Sequence, residues 1–193
     1  MQNPFETPER RAFRESFSKF VDKEIRPCAD AWDEAGEVPW ELHRKAADLG
    51  LFGFGIDEAY GGLGFDDCFM RASASEALGM CGATGVGAAL GARNISTGPI
   101  AALGSEELRR KVLPQVLSGE VGSSLAITEP SGGSDVANLQ TTARRDGNEW
   151  VLNGTKTFIT GGMSSRYFVI GARTGGPGLT GISLFFVEAD TPG

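Results

Sequence analysis

The residues best suited to chemistry lie in one run, Leu125-Ala126-Ile127-Thr128-Glu129-Pro130-Ser131-Gly132-Gly133-Ser134-Asp135. An apolar strand ends in a threonine, then bends at a proline and a Gly-Gly pair, then offers a serine and an aspartate. Backbone N–H groups fall free where a strand stops pairing, and glycines let a ligand approach them closely. Ser134 adds a hydroxyl, so the bend has the makings of an anion-binding concavity. The same residues also describe an ordinary strand running into a capped turn, and their types alone do not decide between the two.

A second run, Asn153-Gly154-Thr155-Lys156-Thr157-Phe158-Ile159-Thr160-Gly161-Gly162, carries a different chemistry. Read as a strand, its alternation sends Phe158 and Thr160 to one face and Thr157 and Ile159 to the other. An aromatic ring beside a hydroxyl suits a flat heteroaromatic ligand, since the ring can stack and the hydroxyl can donate to a ring nitrogen. Alone, the pattern equally describes a core phenylalanine beside a surface threonine. Neither run contains a GxxxxGK[ST] loop, and no GxGxxG follows an expected strand, so neither a P-loop nor a Rossmann dinucleotide site is supported.

Other candidates are weaker. His43, the single histidine, sits beside Arg44 and Lys45 on an expected helix and reads as a solvated surface group. One histidine cannot build a His-based metal site, and no metal ligands are assigned. Cys28, Cys68 and Cys81 show no CxxC spacing, so they read as reduced, buried cytoplasmic thiols rather than disulfides or zinc ligands. Arg109-Arg110-Lys111 reads as a solvated helix face. Trp32, Trp40 and Trp150 read as packing residues.

The elements that must position these groups divide near residue 121. Before it the period is helical. Thr7 is a candidate N-cap with Pro8 in the first turn, and Phe13, Phe17, Phe20, Val21 and Ile25 share one helical face. Pro27 and Gly36 mark an end or kink. A second helix begins near Pro39 and stops at Gly50, and a third covers about 66–78, with the loop Tyr60-Gly61-Gly62-Leu63-Gly64 between them. Seven glycines fall from Gly79 to Gly104, yet their neighbours are apolar, which favours close helix packing over a linker. Ser105 caps a further helix that buries Leu108, Val112, Val116 and Leu117. Beyond Val121 the period becomes two. Strands are expected at 124–128, 139–144, 149–152, 156–160, 167–173 and 182–188, with hairpin turns at Asp146-Gly147 and Asn153-Gly154.

Composition sets outer limits. The 193 residues are 40% apolar and 22% charged, an ordinary globular balance able to bury a core. A net charge of −7, spread along the chain, argues against nucleic acid. The longest uncharged run, Ala77 to Ala92, is too short for a membrane span. The first residues, Met1-Gln2-Asn3-Pro4-Phe5, carry no basic and apolar leader pattern, so a cytoplasmic location is expected.

Ala126 to Asp135 match, at every fixed position, the signature small–aliphatic–[Ser/Thr]–Glu–x–x–small–Gly–[Ser/Thr]–Asp. On these residues the chain resembles the acyl-CoA dehydrogenase family. The likeness continues through Pro39–Leu42, Asp48–Gly53, Tyr60–Gly64, Leu113–Glu120, Asp146–Lys156 and Phe185–Gly193, all in the family's order. Three positions depart from it. Asn138, three residues beyond the signature, stands where a small residue is usual. Phe158 stands where tryptophan is commoner, and Gly161 where asparagine is.

The resemblance implies an α+β fold, with an N-terminal all-helical domain at 1–120 and an antiparallel β-barrel or sandwich domain, incomplete, at 121–193. It implies FAD as cofactor, with Leu125, Ala126, Ile127, Thr128, Gly133, Ser134, Phe158, Ile159 and Thr160 as its contacts. Ser134 would also touch the CoA part of the substrate, and the Gly61-Gly62 loop would lie near the acyl pocket. The implied reaction is α,β-dehydrogenation of an acyl-CoA thioester to the trans-2-enoyl-CoA, as in β-oxidation of fatty acids, with hydride passing to flavin N5. Implied partners are the acyl-CoA substrate, an electron-transfer flavoprotein and further copies in a dimer or tetramer. The family's catalytic glutamate usually sits in a C-terminal helical domain, and no residue here matches it, so no catalytic base is assigned. At about half the family's length, the chain is expected to be a fragment, a partial sequence or one half of a split enzyme. The rival readings are an acyl-CoA oxidase or flavin monooxygenase of the same fold, and a non-catalytic subunit.

Overall fold

The computed structural model describes residues 4–193, with residues 93 and 94 described by their backbone alone. Met1-Gln2-Asn3, part of the start read above as lacking a leader, lie outside the described residues.

Helix α1 (Pro8–Phe20) begins as its sequence dictates, with the Thr7 hydroxyl accepting from Arg10 N at 3.2 Å. It runs through a wide turn, Val21–Ile25, and a tight one, Arg26–Cys28, before α2 (Ala29–Ala35). Pro27 sits in the tight turn, where its missing N–H would break a regular helix. Gly36, at φ 66°, closes α2 in the left-handed region. Helix α3 spans Trp40–Asp48 and α4 spans Cys68–Met80, the latter capped by the Asp67 carboxylate, which accepts from Phe69 N and Met70 N. The Tyr60–Gly64 loop folds back so that Gly64 N donates to the Ile56 carbonyl at 2.9 Å.

The glycine-rich stretch is a helix, α5 (Thr84–Leu103). Ser105 then caps α6 (Glu106–Leu117), accepting from Leu108 N. Among the described residues no helix is long and apolar enough to cross a membrane. Phe17, Ile25, Phe52, Leu90, Leu113 and Val116 form the centre of the core, and Tyr167 and Val169 from the sheet join the same cluster. Burying each such side chain contributes about 1.5–3 kcal/mol. On α6 the basic run is mostly paired: Arg110 meets Glu106 at 2.6 Å and Lys111 meets Glu188.

The sheet has five strands: β1 (Gly122–Ala126), β2 (Thr142–Asp146), β3 (Glu149–Asn153), β4 (Ser165–Arg173) and β5 (Ile182–Glu188). The two-residue turn at Gly147 joins β2 to β3, with Asp146 opposite Glu149. The central strand is β4. It pairs antiparallel with β5, parallel with β1 (Ser123 opposite Tyr167, Leu125 opposite Val169), and through one residue pair with β2.

The helical-then-β order is as expected, but the sheet is mixed and not closed, which corrects the antiparallel barrel or sandwich. Alternation shows where a strand lies and which face it buries; it carries no information about the direction of the partner. Three further expectations fail. Of the three cysteines expected to be buried, Cys68, on the first turn of α4, is exposed. Residues 156–160 are not a strand, and Asn153-Gly154 makes no hairpin. A side chain at Gly154 would meet Thr141 Oγ1 at 2.4 Å, so this glycine is needed for close approach to another segment.

Candidate functional site

β1 delivers Leu125 and Ala126, and the chain continues past its end through Ile127 and Thr128. Glu129 and Gly132 then bond each other twice, N–H to carbonyl in both directions at 3.0 Å, which closes the Pro130-Ser131 bend. Gly133 packs on the Thr128 side chain, where an added Cβ would lie 3.1 Å from Cγ2. Ser134 is exposed just beyond. A hollow of about 150 Å³ lies inside the bend, between Ile127, Gly132 and Gln140, but Glu129 and Asp135 are among its walls. Two carboxylates make it a poor anion cradle, so an anion contact falls to the exposed Ser134 rather than to the hollow.

The second run lies against the first. Thr157 N donates to the Thr128 carbonyl at 3.0 Å, and Lys156 Nζ donates to the Ile127 carbonyl at 3.0 Å. Ser124 Oγ donates to the Thr160 carbonyl at 2.7 Å and shares a hydrogen bond with Ser165 Oγ at 2.8 Å. These bonds bring residues 124–128 and 156–160 together, through an irregular loop rather than a strand. Ile159 is half-buried and its carbonyl closes a turn with Gly162 N.

Phe158 is held at φ 55°, alone among non-glycine described residues in having a positive value, and its ring is 92% exposed. A bulky residue in that region costs about 1–3 kcal/mol and such strain clusters at functional sites. Thr160 is exposed beside it and Thr128 half-buried. Among the described residues, no hydrogen bond is made by the hydroxyls of Thr128, Ser134 or Thr160. A bare ring two residues from the uncommitted hydroxyl of Thr160 fits a flat heteroaromatic group such as the isoalloxazine of FAD.

Glu129 anchors the assembly. It is 5% exposed and accepts from Lys156 Nζ (2.8 Å), Thr141 N (2.8 Å), Thr141 Oγ1 (2.5 Å) and Gln140 N (2.6 Å). Burial alone would push its carboxyl up, but the hydrogen bonds from Lys156, Thr141 and Gln140 outweigh it and hold the group at about 2. A carboxylate so fully committed is a structural anchor and not a base.

Sequence reasoning missed three features. Lys156 was read only as part of an alternating run, yet it ties the two segments together. Ser124 fixes Thr160, and the only signal was a polar pair inside a strand. His43, expected on the surface, is 6% exposed and packs on Trp40 with ring centroids 5.0 Å apart. It borders a cavity of about 320 Å³ that reaches Thr160 and Gly161.

Two family models match the chain: the N-terminal domain of acyl-CoA dehydrogenases over residues 7–120 and the middle domain over 124–193. The long-chain specific acyl-CoA dehydrogenase of Sus scrofa mitochondria is 40% identical over 93% of this chain, which spans 42% of that relative. A crystal structure named as an acyl-CoA dehydrogenase of Mycobacterium smegmatis is 44% identical with a TM-score of 0.93, over 99% of this chain and 50% of its own. A glutaryl-CoA dehydrogenase from the same organism, solved in complex with FADH2, is 30% identical with a TM-score of 0.88, over 97% of this chain and 47% of its own. The chain thus spans about half the length of the relatives it matches.

Proposed function

The chain belongs to the acyl-CoA dehydrogenase family, and from that premise we propose that it supplies the flavin-facing part of an enzyme converting an acyl-CoA thioester to its trans-2-enoyl-CoA. The observation that supports this most directly is the exposed, strained Phe158 ring set beside Thr160, against the Leu125–Thr128 segment.

FAD, when bound, supplies the acceptor for the hydride leaving the β carbon. Phe158 and Ile159 would pack on its ring system. Leu125, Ala126, Ile127 and Thr128 would lie along one edge, with the Thr128 hydroxyl donating where negative charge gathers on reduction. Thr160 would donate at the hydride-accepting position. Gly133 and Ser134 would meet the cofactor's phosphate side, and Ser134 also the CoA part of the substrate. Removal of the α proton is assigned to no residue described here. Glu129 is already saturated with donors and stays ionised, and Asp135 is engaged with Asn138. Electrons would pass on to an electron-transfer flavoprotein, and the working form would be a dimer or tetramer.

The test is an anaerobic titration of the full natural polypeptide, loaded with FAD, with saturated acyl-CoA thioesters of graded length. The expected result is bleaching of the visible flavin absorption and formation of the 2-enoyl product. Retention of FAD with no bleaching by any thioester would overturn the reading. Rapid reoxidation in air with peroxide formed would move it to an oxidase.

A further inference from the structure

Arg173 ends β4, and its half-buried guanidinium meets carbonyl oxygens alone. Nη2 donates to Ala137 at 2.7 Å and Nε to Leu139 at 3.0 Å. Nη1 donates to Gly176 at 2.7 Å and to Gly178 at 3.1 Å. Among the described residues no carboxylate pairs with it. The four acceptors come from two loops, 135–140 and 174–181, so one side chain clamps both to the end of β4. Bonds from a charged donor are about twice as strong as neutral ones, and the planar guanidinium holds its donors in a fixed fork.

The first of these loops follows Ser134 directly. Glu129 anchors the chain on either side of it. Its backbone bonds to Gly132 close the bend before Ser134, and its carboxylate accepts from Gln140 N and Thr141 N beyond. Between those anchors lies one tight turn, Val136–Asn138, with Asn138 N donating to the Asp135 carbonyl at 3.1 Å. Arg173 fixes the middle of the span. The peptide joining Leu139 to Gln140 is gripped from both sides: its carbonyl accepts from Arg173, and its N–H donates to Glu129 Oε2 at 2.6 Å. A cation at one end of that peptide and an anion at the other oppose its rotation.

The second loop closes on the same group. Thr174 N and Gly175 N both donate to the Gly181 carbonyl, at 2.9 and 3.1 Å, and a Cβ on Gly181 would lie 3.0 Å from Arg173 Nη1. Ser134, Asp135 and Asn138 are exposed, so packing does little to place the Ser134 hydroxyl. Arg173 makes no bond to Ser134 and acts on it only through the loop.

We propose that Arg173 is a positioning residue, which pins the carbonyls of Ala137 and Leu139 and so holds the Ser134 hydroxyl where it meets a phosphate of the CoA moiety. The inference rests on the acyl-CoA reading above.

The experiment uses the full natural polypeptide at saturating FAD, with an acyl-CoA thioester and the matching acyl-pantetheine thioester, which lacks the phosphates. Lysine keeps the charge but cannot reach both loops at once. Arg173→Lys should raise KM for the acyl-CoA by about fivefold to tenfold with kcat unchanged, and leave KM for the acyl-pantetheine as it was. Ser134→Ala should raise the same KM, and the double variant should be no worse than the poorer single one. A second measurement needs no variant: hydrogen exchange in the unmutated enzyme should slow over residues 134–140 when CoA is added. Equal rises of KM for both thioesters, a fall in kcat, additive effects in the double variant, or exchange over 134–140 that ignores CoA would overturn the proposal and leave the acyl-CoA reading intact. Turnover of neither thioester by the unmutated enzyme would overturn both.

Discussion

Lys156 Nζ lies 2.8 Å from Glu129 Oε1, and the two side chains are 11% and 4% exposed. The same ammonium bonds the Ile127 carbonyl, so one cation joins the strand end, the signature glutamate and the second loop. Breaking a buried pair leaves an uncompensated charge, which costs about 3–5 kcal/mol. Glu129→Gln should therefore lower the unfolding free energy, read from urea titration, by an amount in that range and weaken FAD retention. Adding Lys156→Met to it should recover part of the loss, because the stranded ammonium is then gone. Additive effects in that double-mutant cycle would show that the pair is not coupled.

The pH dependence of stability follows from the same carboxylate. Its folded value, about 2, is depressed from the usual 4.5. The unfolded state therefore binds more protons in acid, so the stabilisation is complete above about pH 4.5 and is lost as pH falls toward about 2. Glu6, Glu24, Asp67 and Glu106 are also held low by cationic or hydrogen-bonding partners and will contribute their own acid sensitivity. Comparison with Glu129→Gln isolates the buried group. Between about pH 5 and pH 3 the wild-type urea midpoint should fall more steeply than the variant's. Parallel profiles would contradict the assignment.

Phe158 sets fold against function. Its ring contributes little to the core at 92% exposure, while its φ of 55° is disfavoured for any residue with a Cβ. Phe158→Gly should raise the stability of the FAD-free chain by about 1 kcal/mol. It should also weaken FAD binding by about threefold to tenfold, the worth of one lost aromatic contact. Phe158→Ala should share the binding loss without the gain in stability. A glycine variant that binds FAD normally would remove Phe158 from the cofactor site.

These relationships were unequally legible in the sequence. The caps at Thr7 and Ser105 and the faces of α1 and α6 follow from local residue types, and the structure keeps them. The gathering of Thr128 and Thr160 was legible only through the family resemblance, because it depends on hydrogen bonds between segments distant in sequence. The Lys156–Thr160 strand failed for the same reason. Its alternation is real, but Gly154 is pressed on Thr141 and Lys156 is drawn to Glu129, so tertiary contacts override the local pattern. His43 was misplaced because charged neighbours say nothing of the third face of a short helix. Arg173 carried no signal, since an arginine at a strand end reads the same whatever its guanidinium meets.

Ser124 offers a test of how closely Thr160 must be held. Its hydroxyl donates to the Thr160 carbonyl and meets Ser165 Oγ, and it is fully buried. Ser124→Ala removes both bonds and leaves the Thr160 carbonyl short of a donor and the Ser165 hydroxyl short of an acceptor, a cost of about 1–3 kcal/mol in stability. If Thr160 donates at the hydride-accepting position, the looser loop should lower kcat more than it raises KM, since misplacement by a fraction of an ångström penalises the transition state more than substrate binding. FAD affinity should change little, because the Phe158 ring and the Leu125–Thr128 segment are untouched. A variant with normal kcat and weakened FAD binding would mean that the Ser124 contact supports the cofactor pocket at large and not the Thr160 hydroxyl.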